Sequence, residues 1–171
     1  MLITTSRKPS PKTRQLCKTF TRIFSSDCIN RGKMSLRDVF IQSSNRGYTH
    51  TLIIHEYKGN PQQVKFYGNK GEELIHLEIN VKLPSARLQF NPESLTFKCD
   101  VKDLCFLKEF LPVKAHYQDP ESNYMWIKDT QKDYLAIMDF MDKKGYSSGF
   151  RIYVKNWKEG DPVSANKKDG S

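Results

Sequence analysis

Residues 2–24, LITTSRKPSPKTRQLCKTFTRIF, decide the fold class. Leu2 to Ser6 reads as a short strand, and Arg7-Lys8-Pro9 as the turn that ends it. Ser10 then offers an N-cap oxygen, and Pro11 takes the first helical position, where its missing N–H costs nothing. The helix is predicted to reach about Phe24. At about 100° per residue, Leu16, Cys17, Phe20, Ile23 and Phe24 share one face, which a sheet would cover. Arg14, Lys18 and Arg22 lie together on the opposite side. Like charges four residues apart cost an isolated helix roughly a few tenths of a kcal/mol per pair. Something outside the helix is therefore expected to use them.

Outward from this unit, strands and helices alternate. Cys28 to Arg31 reads as a second short strand. Ser35 with Asp38 forms a capping-box pattern before Leu36, Val39 and Phe40, with Gly47 as the stop. The apolar run Thr51 to Ile54 predicts a buried central strand, ending at the turn Gly59-Asn60-Pro61. Val64 to Tyr67 is a short strand. In Leu74 to Leu83, Ile75, Leu77, Ile79, Val81 and Leu83 alternate with polar residues. Pro84 to Pro92 reads as a connector. Beyond it are predicted a strand at Leu95 to Cys99, a short helix from Val101 to Leu111 stopped by Pro112, a loop at His116 to Ser122 and a strand at Tyr124 to Lys128. Asp133 to Met141 fits a helix about as well as a strand. Phe150 to Trp157 alternates again, and a frayed polar tail is expected after it. The pattern predicts an α/β protein with mixed sheets.

The 171 residues suffice for one domain with a core, and 37% apolar with 27% charged residues is a folded composition. No apolar run approaches the roughly 18 residues that span a bilayer. Met1 to Thr5 is followed by charge, so no signal peptide is expected. Cys17, Cys28, Cys99 and Cys105 show no CxxC, which predicts reduced thiols in a cytosolic protein. The net charge is +9, and residues 1–46 hold ten basic residues against Asp27 and Asp38. The remaining chain is nearly neutral. A field concentrated in one quarter of a chain raises the local concentration of a polyanion and speeds encounter.

Enzyme signatures are missing. His55-Glu56 lacks the second His of a zinc protease, since residue 59 is Gly59. The cysteines and histidines lack structural-zinc spacing, and no GxGxxG, GxxxxGK[ST] or GxSxG is present. No metal, cofactor or small-molecule substrate is implied. Cys17 is most simply a core residue and His55 a hydrogen-bonded structural one. The positive signal is phosphate-shaped. Thr4, Thr5, Ser6, Arg7, Lys8 and Ser10 surround a strand-to-helix turn, where a helix N-terminus favours an anion. Lys12, Arg14, Lys18 and Arg22 continue this surface, and Arg31, Lys33, Arg37 and Arg46 extend it if the second helix lies beside the first. On the last strand, Arg151, Tyr153, Lys155 and Trp157 share a face suited to stacking bases, or equally to being covered by a helix or a partner protein.

The run Leu2-Ile3-Thr4-Thr5-Ser6-Arg7-Lys8-Pro9-Ser10 into Arg14 resembles the opening of the Brix-domain family. Asn30-Arg31-Gly32 and Leu52-Ile53-Ile54-His55-Glu56 with Gly59 and Pro61 fall where that family has similar segments. More loosely, Asp133-Tyr134-Leu135 and Gly149-Phe150-Arg151-Ile152-Tyr153 resemble its closing hairpin and strand. The resemblance implies a compact, single-domain, archaeal-type ribosome assembly factor that binds ribosomal RNA or pre-rRNA, works beside other assembly proteins and has no catalytic activity. Its location would be the cytoplasm, or the nucleolus in a eukaryote. The implied fold is one domain over 1–158 followed by a flexible tail, 159–171. Within the domain are two similar lobes, about 1–83 and 93–158, each like the anticodon-binding domain of class II aminoacyl-tRNA synthetases. The family's basic N-terminal segment corresponds to Arg7, Lys8, Arg14 and Arg31. The resemblance also favours a strand for Asp133 to Met138. Ser147-Ser148-Gly149 stands where the family has Gly-Pro-Arg before its last strand.

Overall fold

Strand β1 (Leu2–Thr5) leads through the Arg7-Lys8-Pro9 turn into helix α1 (Pro11–Phe24), capped by Ser10 as its sequence requires. The computed structural model describes residues 1–91, 95–116 and 122–161. After α1 come β2 (Asp27–Cys28), α2 (Leu36–Asn45), β3 (His50–Tyr57), β4 (Asn60–Gly68) and β5 (Glu73–Lys82). The second half holds β6 (Thr96–Cys99), a 3-10 helix (Lys102–Glu109), β7 (Lys114–His116), β8 (Tyr124–Lys128), β9 (Ala136–Met141) and β10 (Ser147–Glu159). All ten strands form one mixed sheet in the order β2-β1-β3-β4-β5-β10-β9-β8-β6-β7. From the central β5–β10 pair outward, each half has the same order of senses: two antiparallel neighbours, then parallel strands.

The expected stripe of α1 is buried in full, and it faces both halves. Phe20 meets Phe150 edge-on at 6.0 Å between ring centroids, and Phe24 meets Phe140 at 6.2 Å. Phe140 and Phe150 stack at 4.7 Å. The 3-10 helix reaches back the other way, setting Phe110 against Phe66 of β4 and Phe106 against Trp157. The halves thus share one core. Helix α2 lies on the other face of the sheet. Its Phe40 packs on Tyr67, which points away from its strand neighbour Phe66. The opposite placement follows from two right-handed crossovers, β1-α1-β2 to one side and β2-α2-β3 back to the other.

Several expectations are corrected. Strand β2 is Asp27–Cys28 and ends short of Arg31, whose guanidinium is buried on the Met34 and Thr5 carbonyls. The turn after β3 is Lys58-Gly59 alone, both at positive φ (49° and 78°), the geometry of a two-residue hairpin loop; β4 therefore starts at once at Asn60. The helix expected over Val101 to Leu111 is 3-10, and Val101 gives it no side-chain cap. The stretch that periodicity left open is the strand the family resemblance favours, but it starts at Ala136 and not at Asp133, and it is paired on both edges. The four cysteines are paired, Cys17 with Cys28 and Cys99 with Cys105. Linear spacing concealed this: the β1-α1-β2 turn brings the first pair to 6.5 Å between Cα atoms, and the bend into the 3-10 helix brings the second to 5.6 Å. Pro92, the start of the expected second lobe, most of the His116–Ser122 loop and tail residues 162–171 lie outside the described residues.

Phe150 is fully buried at the junction of α1, β9 and β10. Phe150→Ala is expected to cost about 3–5 kcal/mol in chemical denaturation. Tyr146→Ala, at a side chain 69% exposed, should stay within about 0.5 kcal/mol of the parent.

Candidate functional site

The N-terminus of α1, where the sequence suggested an anion, is already served by the chain's own carboxylate. The β3–β4 hairpin brings Glu56 beneath the first turn of the helix. There Oε2 accepts from the Ser10 backbone N–H at 3.0 Å and from the Thr13 hydroxyl. The Ser10 hydroxyl caps the Thr13 N–H at 3.2 Å and donates to the Gly59 carbonyl at 2.8 Å. Burial pushes the Glu56 carboxyl up, but the hydrogen bonds from Thr13 and Ser10 and the nearby Arg14 charge outweigh it, so it lies below its ordinary value. The threonines beside the turn are also engaged. Thr4 donates to the Ile29 carbonyl and Thr5 to that of Ser6. The strand-to-helix turn is therefore a closed joint, not an open phosphate cradle.

The basic residues separate into groups. Arg31 is only 3% exposed, with Nε donating to the Met34 carbonyl at 2.8 Å and a terminal nitrogen reaching the Thr5 carbonyl at 3.4 Å. Its role is to tie the loop after β2 to the end of β1. Arg46 pairs with Asp27 at 3.2 Å. Lys33 and Arg37 are exposed, but α2 sits on the far face of the sheet, so Arg37 and Arg46 do not extend the α1 stripe. Lys12 donates to Asn60 Oδ1 at the helix start, and Arg7 and Lys8 are exposed on the turn. Arg14, Lys18 and Arg22 stand exposed in a row along α1, and none forms a salt bridge among the described residues.

A groove runs along each side of that row. One, of 450 Å³, lies between Arg14, Lys18 and Arg22 and the connector Pro84–Leu88, which places Arg87 opposite the helix. The other, of 560 Å³, lies between Arg14 and Lys18 and the Lys8-Pro9 and Ile29–Gly32 loops. Arg87 escaped the sequence reading because nothing in a Pro-bounded connector says which element it lies against. Glu56 was legible in part, as an acid placed just before a tight turn.

The face expected for Arg151, Tyr153, Lys155 and Trp157 is split. The register of β10 on β5 shifts between Val154 and Asn156. One extra residue reverses the period-2 alternation, so Trp157 joins the core side, opposite Leu77 and against Phe106. Arg151 and Tyr153 stay on the outer face.

Among the described residues no group of His, Cys, Asp and Glu could hold a metal, and no helix is long and apolar enough to cross a membrane. No family model matches the chain. A probable Brix domain-containing ribosomal biogenesis protein of Methanothermobacter thermautotrophicus is 31% identical over 164 residues, covering 94% of this chain and all of that one. The chain belongs to the Brix domain family. A relative of the same description from Methanosarcina mazei matches at 39% over 80 residues, about half of each chain (47% and 49%). The crystal structure of Mil, an archaeal Imp4-like protein, superimposes with a TM-score of 0.82 at 27% identity, covering 94% of this chain and 99% of Mil. The single mixed sheet with few helices is thus the fold of the Imp4-like members, and the chain is a ribosomal biogenesis protein of that type.

Removing the Glu56 charge tests the helix joint. Because its folded pKa is depressed, its contribution is complete above the unfolded carboxylate value of about 4.3 and is lost as pH falls through the folded value. Glu56→Gln should lower stability by about 1 kcal/mol at neutral pH, with parent and variant converging in acid, as read from denaturation curves across that range.

Proposed function

We propose that this Brix-family protein binds ribosomal RNA or pre-rRNA along the outer face of α1 and acts without catalysis, in the cytoplasm, as an assembly factor that holds an RNA segment among other assembly proteins. The observation that carries the reading is the row Arg14, Lys18 and Arg22. These cations repel one another, form no salt bridge among the described residues, and are flanked by two grooves with Arg87 across one of them. The apolar stripe and first turn of the same helix are committed to the fold, so the outer face is what α1 has left to offer a ligand. Arginine's planar fork matches phosphate oxygens, and lysine adds a mobile point charge. Such contacts give affinity and position, while selectivity comes from the shape of the RNA and its unpaired bases. The doubled arrangement of the sheet is read as two lobes, each like the anticodon-binding domain of class II aminoacyl-tRNA synthetases, with the first lobe carrying the basic helix.

The test is binding of an rRNA fragment as a function of salt, comparing the parent with the triple variant Arg14→Glu/Lys18→Glu/Arg22→Glu. All three side chains are exposed, so the variant should melt near the parent. It should bind far more weakly, with a log–log salt slope reduced by about 2, at about 0.7 per contact for single strands. Equal affinity and slope for the two proteins would refute the assignment of α1.

A further inference from the structure

On the sheet face turned away from α1, five side chains form one row across the second half-sheet and its junction. Strand pairing sets Lys98 of β6 beside Trp126 of β8, Trp126 beside Asp139 of β9, Asp139 beside Arg151 of β10, and Arg151 beside Lys82 of β5. At about 4.8 Å per strand the row spans about 19 Å. A second row, two residues along, sets Lys128, Ile137, Tyr153 and Asn80 side by side. Tyr134 lies against Tyr153 at 5.0 Å, and its hydroxyl oxygen accepts from the Asn80 side-chain amide at 2.9 Å.

Asp139 organises this face. Its carboxylate is fully buried and accepts from Lys128 at 2.8 Å, Arg151 at 3.1 Å and Ser147 at 2.6 Å. Two cations on one buried anion leave local positive charge, and both are held in place while their side chains stay 26% and 33% exposed. Lys98 stands 4.0 Å from the Trp126 ring centroid and Lys128 at 5.0 Å, while the indole N–H is anchored to Asp100 at 2.7 Å. Arg151 directly opposite Lys82 is a like-charge cross-strand pair, which by itself destabilises a sheet.

We propose that this face is a second RNA-contacting surface, which takes a short unpaired stretch of RNA with phosphates on Lys98, Lys128, Arg151 and Lys82 and bases on the Trp126, Tyr153 and Tyr134 rings. The inference rests on the RNA-binding reading of α1 and adds a separate site on the opposite side of the sheet. Charge complementarity selects the occupant. Lysine is depleted at the cores of protein–protein interfaces, and here Lys98 and Lys128 lie against the Trp126 ring while Lys82 ends the same row. A sheet bearing aromatic side chains takes two or three stacked bases, which this span accommodates. Cations fixed in advance by a buried carboxylate lose little freedom on binding.

The experiment follows a short single-stranded RNA and the same RNA as a duplex. Binding to each is measured for the parent, Lys82→Glu/Lys98→Glu and the α1 triple variant, with melting curves for all three. The double variant should melt near the parent and bind the single strand about 10-fold more weakly, with a smaller loss on the duplex. Trp126 and Trp157 are the two tryptophans, so intrinsic fluorescence reports the site. RNA should quench it in the parent and in Trp157→Phe, but not in Trp126→Phe. Parent-like single-strand binding by Lys82→Glu/Lys98→Glu, with the α1 variant still impaired, would overturn the second surface and leave the face to a protein partner. Absence of RNA binding by the parent would overturn this surface and the α1 reading together.

Discussion

Everything in this fold depends on the antiparallel pairing of β5 with β10. It joins two half-sheets of like order into one sheet, in a register running from Ile75 opposite Glu159 to Lys82 opposite Arg151. A slip of one residue would turn Phe150, Ile152 and Val154 outward and empty the floor beneath α1. The bulge at Lys155 lies inside this pair and is what sends Trp157 to the core, where Phe106 of the 3-10 helix meets it. With this register in place, helices from each half can pack on strands of the other. Phe20 and Phe24 reach Phe150 and Phe140 in one direction, and Phe110 reaches Phe66 in the other.

The same packing determines what is left for function. Helix α1 spends its apolar stripe on the shared core and its first turn on Glu56, and the buried Arg31 braces the loop beside it. What remains is the row of three cations and the grooves beside them. Because Ser10, Thr13, Thr4 and Thr5 are all bonded within the fold, the exposed cations of the outer face stand out by contrast. Among the described residues of the second half, the helical segment is Lys102–Glu109, a 3-10 helix carrying mixed charge. The polar chemistry of that half lies instead on the opposite face, gathered around Asp139.

Strong local signals in the sequence carry through to the structure. The Ser10-Pro11 start, the Ser35/Asp38 box and the alternation of Leu74 to Leu83 are decided by neighbours within a few residues, and the structure has each of them. What escaped depends on contacts distant in the chain. The strand Ala136–Met141, which periodicity left open and the resemblance favoured, is decided by partners on both sides; the cysteine pairs come from turns that linear spacing does not reveal, and the flip of Trp157 from a single inserted residue. Arg31 looked like every other basic residue in the first quarter, because nothing local marks a guanidinium that will be buried on carbonyls. Asp139 offered a clue, an acid within the apolar run Ile137 to Met141, since a buried carboxylate needs donors.

The proposed role turns on which arginines meet the RNA, and their side-chain Nε–Hε NMR resonances answer that directly. On titration with a single-stranded rRNA fragment, the resonances of Arg14, Arg22 and Arg87 should move together while that of Arg31, bonded to the Met34 carbonyl, stays fixed. Movement confined to Arg37 and Arg46, with Arg14 and Arg22 unchanged, would contradict the account and place the RNA on the α2 side of the sheet.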